Sequence, residues 1–219
     1  MKRVLMIAHA GPLFGAVAGQ LAEYGIETMT IEKEAITSRE EAKKLAAGMG
    51  SFDGVIHSVL LDAEEYPDRL FEMEPQEWER WKETVFVQNY WILGAFLPPV
   101  EQCGGKYLVV GSAAGITPSK NDETNGAASA AGFMMMKCAA AELGKKCRIN
   151  GIAVGAMDEY ETEGLRGGGM LEKHIAGGRA SVKDMARTIA AALTADDTCK
   201  NGVAEAADRG YGCGYMREW

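Results

Sequence analysis

Apolar runs and amphipathic segments alternate along this chain. Continuous apolar runs at 3–10 and 53–60 predict strands that are buried on both faces. Segments with apolar residues at helical spacing separate such runs, as in 181–194, where Ser181 is a candidate N-cap. The same patterns predict further strands at 26–32, 105–115, 148–157 and 201–210, and further helices at 16–25, 38–49, 75–97 and 126–143.

The regular order of strand and helix predicts the architecture. Each strand–helix–strand unit forms a right-handed crossover, so repeated units build a parallel sheet with helices on both faces. We therefore expect a doubly wound, three-layer α/β/α fold, and 219 residues fit a single domain spanning 1–219. Ligands of such sheets bind beyond the carboxyl ends of the strands. The segments expected there are 9–15, 57–60, 111–115 and 154–158.

Two of the predicted helices are too apolar for an ordinary exposed surface. The helix 75–97 is apolar all round from Val85 to Leu97. The helix 126–143 has only two charged side chains, Lys137 and Glu142, and three consecutive methionines at its centre. Each helix is therefore predicted to be buried on more than one side, and methionine suits packing against a non-identical surface.

The net charge of the chain narrows the classes of partner. It is −8, which argues against a nucleic-acid-binding surface because such surfaces need Lys and Arg to displace counterions from phosphates.

The three histidines, at positions 9, 57 and 174, are scattered and form no metal-ligand set. No stretch reaches the length and apolarity of a membrane span.

The cysteines and the N-terminal residues indicate a cytoplasmic protein. None of the five cysteines is arranged as Cys-x-x-Cys, and their odd number is typical of free thiols in a reducing compartment. The N-terminus imitates a secretory signal, but the apolar run Val4–Ala8 is only five residues long before His9, Gly11 and Pro12 interrupt it. We expect this run to be a strand of the sheet.

Three segments in the second half of the chain resemble motifs of the short-chain dehydrogenase/reductase family. GGKYLVVGSAAG resembles the strand that ends in the family's catalytic Ser, here Ser112. CRINGIAVGAM resembles the strand that ends in Asn-x-hydrophobic-x-Pro-Gly, with Val154 at the usual Pro, and 179–210 resembles the last helix and strand. The resemblance spans nearly the whole chain and implies a Rossmann-like fold and hydride transfer with a nicotinamide cofactor.

The resemblance also implies that the catalytic residues are lost. In the family a Tyr moves the proton of hydride transfer, a Lys lowers the pKa of that Tyr, a Ser polarises the substrate oxygen and an Asn holds a water. Family spacing places the Ser at Ser112 and the Asn at Asn89, but the Tyr at Asn125 and the Lys at Ser129. An amide and a hydroxyl cannot shuttle this proton, so these four positions are interpreted as vestigial.

The cofactor motif is degraded as well. The family's Gly-x-x-x-Gly-x-Gly falls on Gly11, Gly15 and Val17, and the Val17 methyl groups are expected to crowd the pyrophosphate site. Glu32 lies near the place of the acidic residue that binds the ribose diol, but an acidic residue at a strand end is common. We expect this chain to bind no cofactor, and we expect NAD to bind to an active partner subunit of the same family.

A third departure concerns the number of elements. The strand 26–32 leads through a single helix to the strand 53–60, so one βα unit of the ordinary family form, which walls the adenine pocket, is expected to be missing. The residues 57–60, His-Ser-Val-Leu, replace the family's Asn-Asn-Ala-Gly, which changes the floor under the cofactor ribose.

Loss of chemistry beside intact apolar helices favours a non-catalytic subunit that assembles with an active paralogue. In the family the helices corresponding to 75–97 and 126–143 pair with the same two helices of a neighbouring subunit, so a hetero-tetramer is expected. The last strand and the C-terminal tail form a second family interface. Four tail residues suit it: Tyr211, Tyr215, Met216 and Trp219.

Two other functions stay open at this point. A remodelled cleft could hold a nucleotide or an acyl-CoA without turnover, as in a binding protein or sensor. An active enzyme with non-standard catalytic residues, such as a lyase or isomerase, could use Asp122, Glu123 or Tyr160. Arg166 and the glycines of 165–178 could cradle a phosphate, although a flexible loop without a ligand is the simpler interpretation.

Overall fold

The structure is a computed structural model that describes residues 1–61, 70–119, 122–158 and 179–213. Within these ranges six parallel strands form one sheet. The strands are β1 (Arg3–Ala8), β2 (Glu27–Glu32), β3 (Gly54–Ser58), β4 (Lys106–Ser112), β5 (Arg148–Val154) and β6 (Ala204–Ala207). The helices are α1 (Pro12–Glu23), α2 (Arg39–Met49), α3 (Pro75–Lys82), α4 (Asn89–Gln102), α5 (Glu123–Leu143) and α6 (Val182–Thr194).

The strand order β2-β1-β3-β4-β5-β6 confirms the Rossmann-like, doubly wound architecture. The strand order reverses at β1, which pairs with both β2 and β3, and ligands of such sheets bind at this kind of switch point. In the described part of the chain β2 is one of the two edge strands, and α2 is the one α-helix that connects it to β3. The expected absence of one βα unit is therefore confirmed.

Two apolar clusters cover the two faces of the sheet. On one face α2, α4 and α5 enclose side chains such as Leu5, Phe96 and Phe133. On the other face α1 and α6 contact each other and enclose side chains such as Met6, Leu21 and Ile189. All five residues of β3 are buried, because helices cover this central strand on both sides.

The helix predicted at 75–97 is interrupted. It consists of α3, a π-helical turn at Glu83–Gln88 and α4, which continues through Pro98 and Pro99 to Gln102. The predicted start of α1 at residue 16 is wrong by one turn, because Pro12 occupies the first helical position, where its missing N–H costs nothing. The amphipathic periodicity of the sequence does not reveal a π turn, since this turn adds one residue without changing composition.

The small residues in the first half of α5 fit a close approach to the sheet. A Cβ atom added to Gly132 would lie 2.7 Å from the Val59 side chain, which follows β3. One added to Gly126 would lie 3.0 Å from the carbonyl oxygen of Ala114, in the turn after β4. Side chains larger than glycine at these positions would push the helix away from the sheet.

Candidate functional site

Three of the four residues that correspond to the family's catalytic positions lie where β3 and β4 end and α5 begins. Ser112 is the last residue of β4, and Asn125 and Ser129 lie on the first two turns of α5. The turn after β4, at Ala113–Gly115, packs against α5 and brings these residues together. Asn89 begins α4 on one face of the sheet.

The Ser112 hydroxyl is engaged by its neighbours. Its oxygen accepts a hydrogen bond from the backbone N–H of Ala114 at 3.1 Å, and the hydroxyl donates to Oδ2 of Asp122 at 3.4 Å. The family's Ser donates its proton to a substrate oxygen, and this proton is here directed at a carboxylate. A negative charge developing on a bound oxygen would also be repelled by the Asp122 carboxylate.

Ser129 connects α5 to β4. Its side chain is fully buried, and its hydroxyl oxygen accepts a hydrogen bond from the backbone N–H of Ser112 at 2.8 Å. A Cβ atom added to Gly115 would lie 2.6 Å from the Cβ of Ser129. The position that corresponds to the catalytic Lys is therefore tightly packed and has a structural hydrogen bond.

We predict that Ser129→Ala lowers the free energy of unfolding by about 1–3 kcal/mol, because it leaves the buried N–H of Ser112 without its acceptor. Urea denaturation followed by circular dichroism measures the change. The control is Thr188→Ala, which removes a hydroxyl that donates to the Asp184 carbonyl on the exposed face of α6 and should cost less than about 0.5 kcal/mol. Equal costs for the two variants would contradict a structural role for Ser129.

Asn125, at the position of the catalytic Tyr, is half-buried and contacts the chain that follows β3. Its Oδ1 accepts a hydrogen bond from the backbone N–H of Leu61 at 3.4 Å. An amide at this position holds the chain that follows β3, and it neither gains nor loses a proton near neutral pH. Glu123, one of the alternative acids, lies half-buried at the start of the same helix.

Asn89 faces the protein core. Its Nδ2 donates to the carbonyl oxygen of Val85 at 2.8 Å, and its Oδ1 lies 3.0 Å from Nε2 of His57. On the other side of the ring, the Tyr107 hydroxyl lies 3.1 Å from Nδ1 of His57. Among the described residues, no hydrogen bond joins this chain of three side chains to Ser112, so Asn89 belongs to a separate buried network.

Burial determines the protonation of this network. It lowers the pKa of His57 to about 3, with the charge of nearby Lys33 as a second cause, because a buried imidazolium loses its hydration. Burial also raises the pKa of Tyr107 well above its ordinary value of 10. At neutral pH both groups are therefore uncharged, and neither can serve as the acid or base of a solvent-accessible reaction.

The sequence analysis did not find the partners of Asn89, although a signal was present. His57 is paired with Val109, and Tyr107 with Val55, in the register of β3 and β4. Because side chains alternate between faces along a strand, His57 and Tyr107 point to the same face of the sheet. Two polar side chains on one face of two buried strands indicate a mutual hydrogen bond.

The residues that correspond to the family's cofactor motif lie at the start of α1 and at the end of β2. Gly11 has an extended backbone that any residue adopts, and no atom lies within 4 Å of a Cβ added to Gly15. Val17 is fully buried in the cluster between α1, α6 and the sheet. Glu32 is exposed at the end of β2, beside a contact between His9 Nδ1 and the Glu34 carboxylate.

Several sequence-based predictions fall on residues that the structure does not describe. Tyr160, the glycine-rich segment 165–178 with Arg166, and the tail residues Tyr215, Met216 and Trp219 lie outside the described ranges.

Within the described ranges no group of three His, Cys, Asp or Glu side chains could hold a metal ion. No described helix has the length and apolarity that crossing a membrane requires. A cavity of about 60 Å³ beside Lys106 and Arg148 lies at the opposite end of the strands from Ser112.

Comparison with known proteins agrees with this fold. The family described as enoyl-(acyl carrier protein) reductase matches residues 17–212. The match begins at Val17, so Gly11 and Gly15 stand outside it. No curated protein sequence matches the chain.

Solved structures show the same fold at low sequence identity. A small-chain dehydrogenase in complex with NADPH is 17% identical, with a TM-score of 0.78 over 98% of this chain and 100% of that one. ElxO with NADP bound is 18% identical, with a TM-score of 0.78 over 97% and 99%. The ligand-free aldohexose dehydrogenase of Thermoplasma acidophilum is 13% identical, with a TM-score of 0.81 over 98% and 96%. The chain therefore belongs to the short-chain dehydrogenase/reductase family.

Proposed function

We propose that this chain is a non-catalytic subunit that assembles with an active, NAD-dependent paralogue of its own family. One observation supports the proposal above all: an exposed, mostly apolar helix face lies beside a site whose four tetrad positions are engaged in hydrogen bonds of the fold. Ser112, Asn125 and Ser129 bind backbone groups, and Asn89 binds the core.

The exposed face lies on two helices that contact each other, α4 and α5. We call it the helix-pair face, and its exposed members recur every four residues along each helix. They are Phe86, Tyr90, Gly94 and Pro98 on the π turn and α4, and Ala130, Met134 and Cys138 on α5. Phe86 is 42% exposed, Tyr90 57% and Met134 58%. Aromatic and methionine side chains are enriched at the cores of interfaces, which supports the docking of another subunit here.

The proposed occupant is an intact family member. Family members pair the corresponding helices, and the methionines of α5 can adapt to a non-identical partner. The partner would hold NAD and the complete catalytic tetrad, this chain would bind no cofactor, and the assembly would be a hetero-tetramer with β6 and the C-terminal tail as its second contact. The named candidate is the dehydrogenase for 2-(hydroxy(phenyl)methyl)succinyl-CoA of anaerobic toluene degradation, which has two family-related subunits of different type.

Co-expression tests the proposal. Each paralogue of the source genome that contains Tyr-x-x-x-Lys and Gly-x-x-x-Gly-x-Gly would be expressed with this chain and analysed by native mass spectrometry. We expect one paralogue to form a stable hetero-oligomer, whose activity is then assayed with the succinyl-CoA substrate. If this chain forms only homo-oligomers with every such paralogue, the proposed function is wrong.

Cofactor titration gives a separate prediction. Isothermal titration of the isolated chain with NAD, NADP or acyl-CoA should show no binding tighter than about 1 mM, because the glycine motif and the adenine wall are incomplete. The active paralogue alone serves as the positive control. Binding of any of these ligands at micromolar concentration would favour the alternative function, a nucleotide or acyl-CoA sensor.

A second candidate function is an enzyme that uses a non-standard acid or base. The observation that favours it is the contact between the Ser112 hydroxyl and Asp122, because a carboxylate near a hydroxyl in a strand-end crevice can move protons. Asp122→Asn separates the two candidates. If Asp122 is the base, this variant lowers turnover at least ~100-fold, whereas in a non-catalytic subunit the turnover of the complex stays unchanged. Asp196→Asn, which removes an exposed carboxylate after the end of α6, is the matched control.

A further inference from the structure

We infer that the buried hydrogen-bond chain Tyr107–His57–Asn89 positions the helix-pair face for its partner. In this protein Asn89, which lies at the position of the family's relay Asn, would thus be a positioning residue for assembly. The identity of the partner rests on the proposed function. The coupling between the buried hydrogen bonds and the exposed face rests only on the geometry of this protein.

The first element of the coupling is the π turn at Glu83–Gln88. A π turn takes one residue more than an α turn, so it rotates everything that follows by about 100° relative to a regular helix. Trp78 and Trp81, before the turn, are stacked with ring centroids 5.1 Å apart. Phe86, within the turn, meets the Trp81 ring edge-on at 5.9 Å. The π turn therefore determines how these aromatic side chains lie relative to Tyr90.

The second element is the side chain of Asn89, which holds the end of this turn. Its Nδ2 reaches back to the carbonyl oxygen of Val85, inside the π turn, at 2.8 Å. Since Nδ2 is engaged there, Oδ1 faces His57, and the ring must donate from Nε2 over 3.0 Å. His57 Nδ1 then accepts the proton of the Tyr107 hydroxyl at 3.1 Å. Each donor and acceptor in this chain has one compatible role, which fixes a single orientation of Asn89.

The third element is Gln88, the residue before Asn89. Its Nε2 donates to the carbonyl oxygen of Lys33 at 2.9 Å and to that of Ile36 at 3.0 Å, both in the turn between β2 and α2. Asn89 thus fastens the end of the π turn to β3, and Gln88 fastens it to the turn between β2 and α2. Tyr90, one residue further, is left on the outside, where the Arg39 guanidinium lies 6.0 Å from its ring centroid.

The experiment compares Asn89→Leu, which removes both hydrogen bonds of Asn89, with Ile189→Ala, a core variant on the opposite face of the sheet. The first readout is amide hydrogen exchange of residues 83–93 in the isolated chain. The second is the amount of active paralogue that co-purifies. We expect Asn89→Leu to accelerate exchange in this segment at least ~10-fold more than Ile189→Ala, and to reduce assembly by a similar factor.

A conservative pair tests the direction of the hydrogen bonds. His57→Gln keeps a donor near Nε2 and an acceptor for Tyr107, so both readouts should stay near wild type, whereas His57→Leu should resemble Asn89→Leu. If Asn89→Leu does not fold, Tyr107→Phe removes only the outermost hydrogen bond and should give an intermediate effect on exchange.

Equal exchange of residues 83–93 in Asn89→Leu and Ile189→Ala would overturn the inference, as would equal effects of His57→Gln and His57→Leu. If the wild-type chain takes up no paralogue, the proposed function fails, and the exchange measurements still decide whether the buried chain holds the π turn.

Discussion

Met134→Glu should abolish assembly with the active paralogue while leaving the fold intact. Met134 is 58% exposed in the isolated chain, so a carboxylate there is hydrated and costs little stability. In the complex the same carboxylate would lose its hydration on a mostly apolar face. We expect roughly 100-fold weaker assembly or more, since each 1.4 kcal/mol of lost binding energy is a factor of ten and the desolvation of a carboxylate costs several kcal/mol.

The matched control for this prediction is Ala191→Glu. Ala191 is an exposed residue of α6, on the face of the sheet opposite to α4 and α5. Both variants add one negative charge to an exposed helical position, so the net charge changes in the same way, and helix propensity changes by only a few tenths of a kcal/mol in either. Sedimentation velocity of each variant with the paralogue measures assembly, and thermal unfolding of the isolated chain verifies the fold.

Tyr90→Glu extends the test to α4, because Tyr90 is 57% exposed on the neighbouring helix. If both helices contact the partner, it should weaken assembly as strongly as Met134→Glu. Normal assembly of both variants would show that the helix-pair face is not the docking surface. A loss in Met134→Glu alone would restrict the contact to α5.

Most of the fold could be predicted from the sequence because the strands and helices have distinct periodicities. The buried strands read as continuous apolar runs, and the missing βα unit was evident from the single helix between 26–32 and 53–60. The π turn was not predictable in this way. It depends on hydrogen bonds from Gln88 and Asn89 to distant residues, and a linear pattern does not contain such contacts.

The candidate site was predictable in its residue types and less so in their contacts. Family spacing placed Asn125 and Ser129 at the Tyr and Lys positions, and in the structure Asn125 contacts the chain after β3 while Ser129 contacts the end of β4. The sequence also marked Asp122 as a possible acid, but its contact with the Ser112 hydroxyl depends on how the turn after β4 folds back on α5. Val17 was expected to crowd the pyrophosphate site, and whether it does stays a prediction, since its side chain lies within the apolar cluster.

Between pH 7 and pH 5, acid should destabilise this protein through His57. Its pKa is about 3 in the folded protein and near its ordinary value of 6.5 in the unfolded chain. The folded-state pKa is lowered, so the contribution is fully present above pH 6.5 and is lost as the pH falls from 6.5 towards 3. Between these values the unfolded chain binds a proton that the native protein excludes, and each pH unit costs about 1.4 kcal/mol. We expect a loss of about 2 kcal/mol between pH 7 and pH 5.

His57→Gln isolates this contribution, because the amide keeps the hydrogen bonds to Asn89 and Tyr107 and does not titrate. Asp53 and Asp197 do not obscure the comparison: hydrogen bonds from backbone N–H groups lower the pKa of each below 3.8, so both stay ionised from pH 7 to pH 5. Urea unfolding at pH 7, 6 and 5 should give a nearly constant free energy of unfolding for His57→Gln. The free energy of unfolding of the wild type should fall over the same range. If the wild type and His57→Gln lost stability equally over this range, water or a counter-charge would have to reach the imidazole. The buried network could then not hold Asn89 in a single orientation.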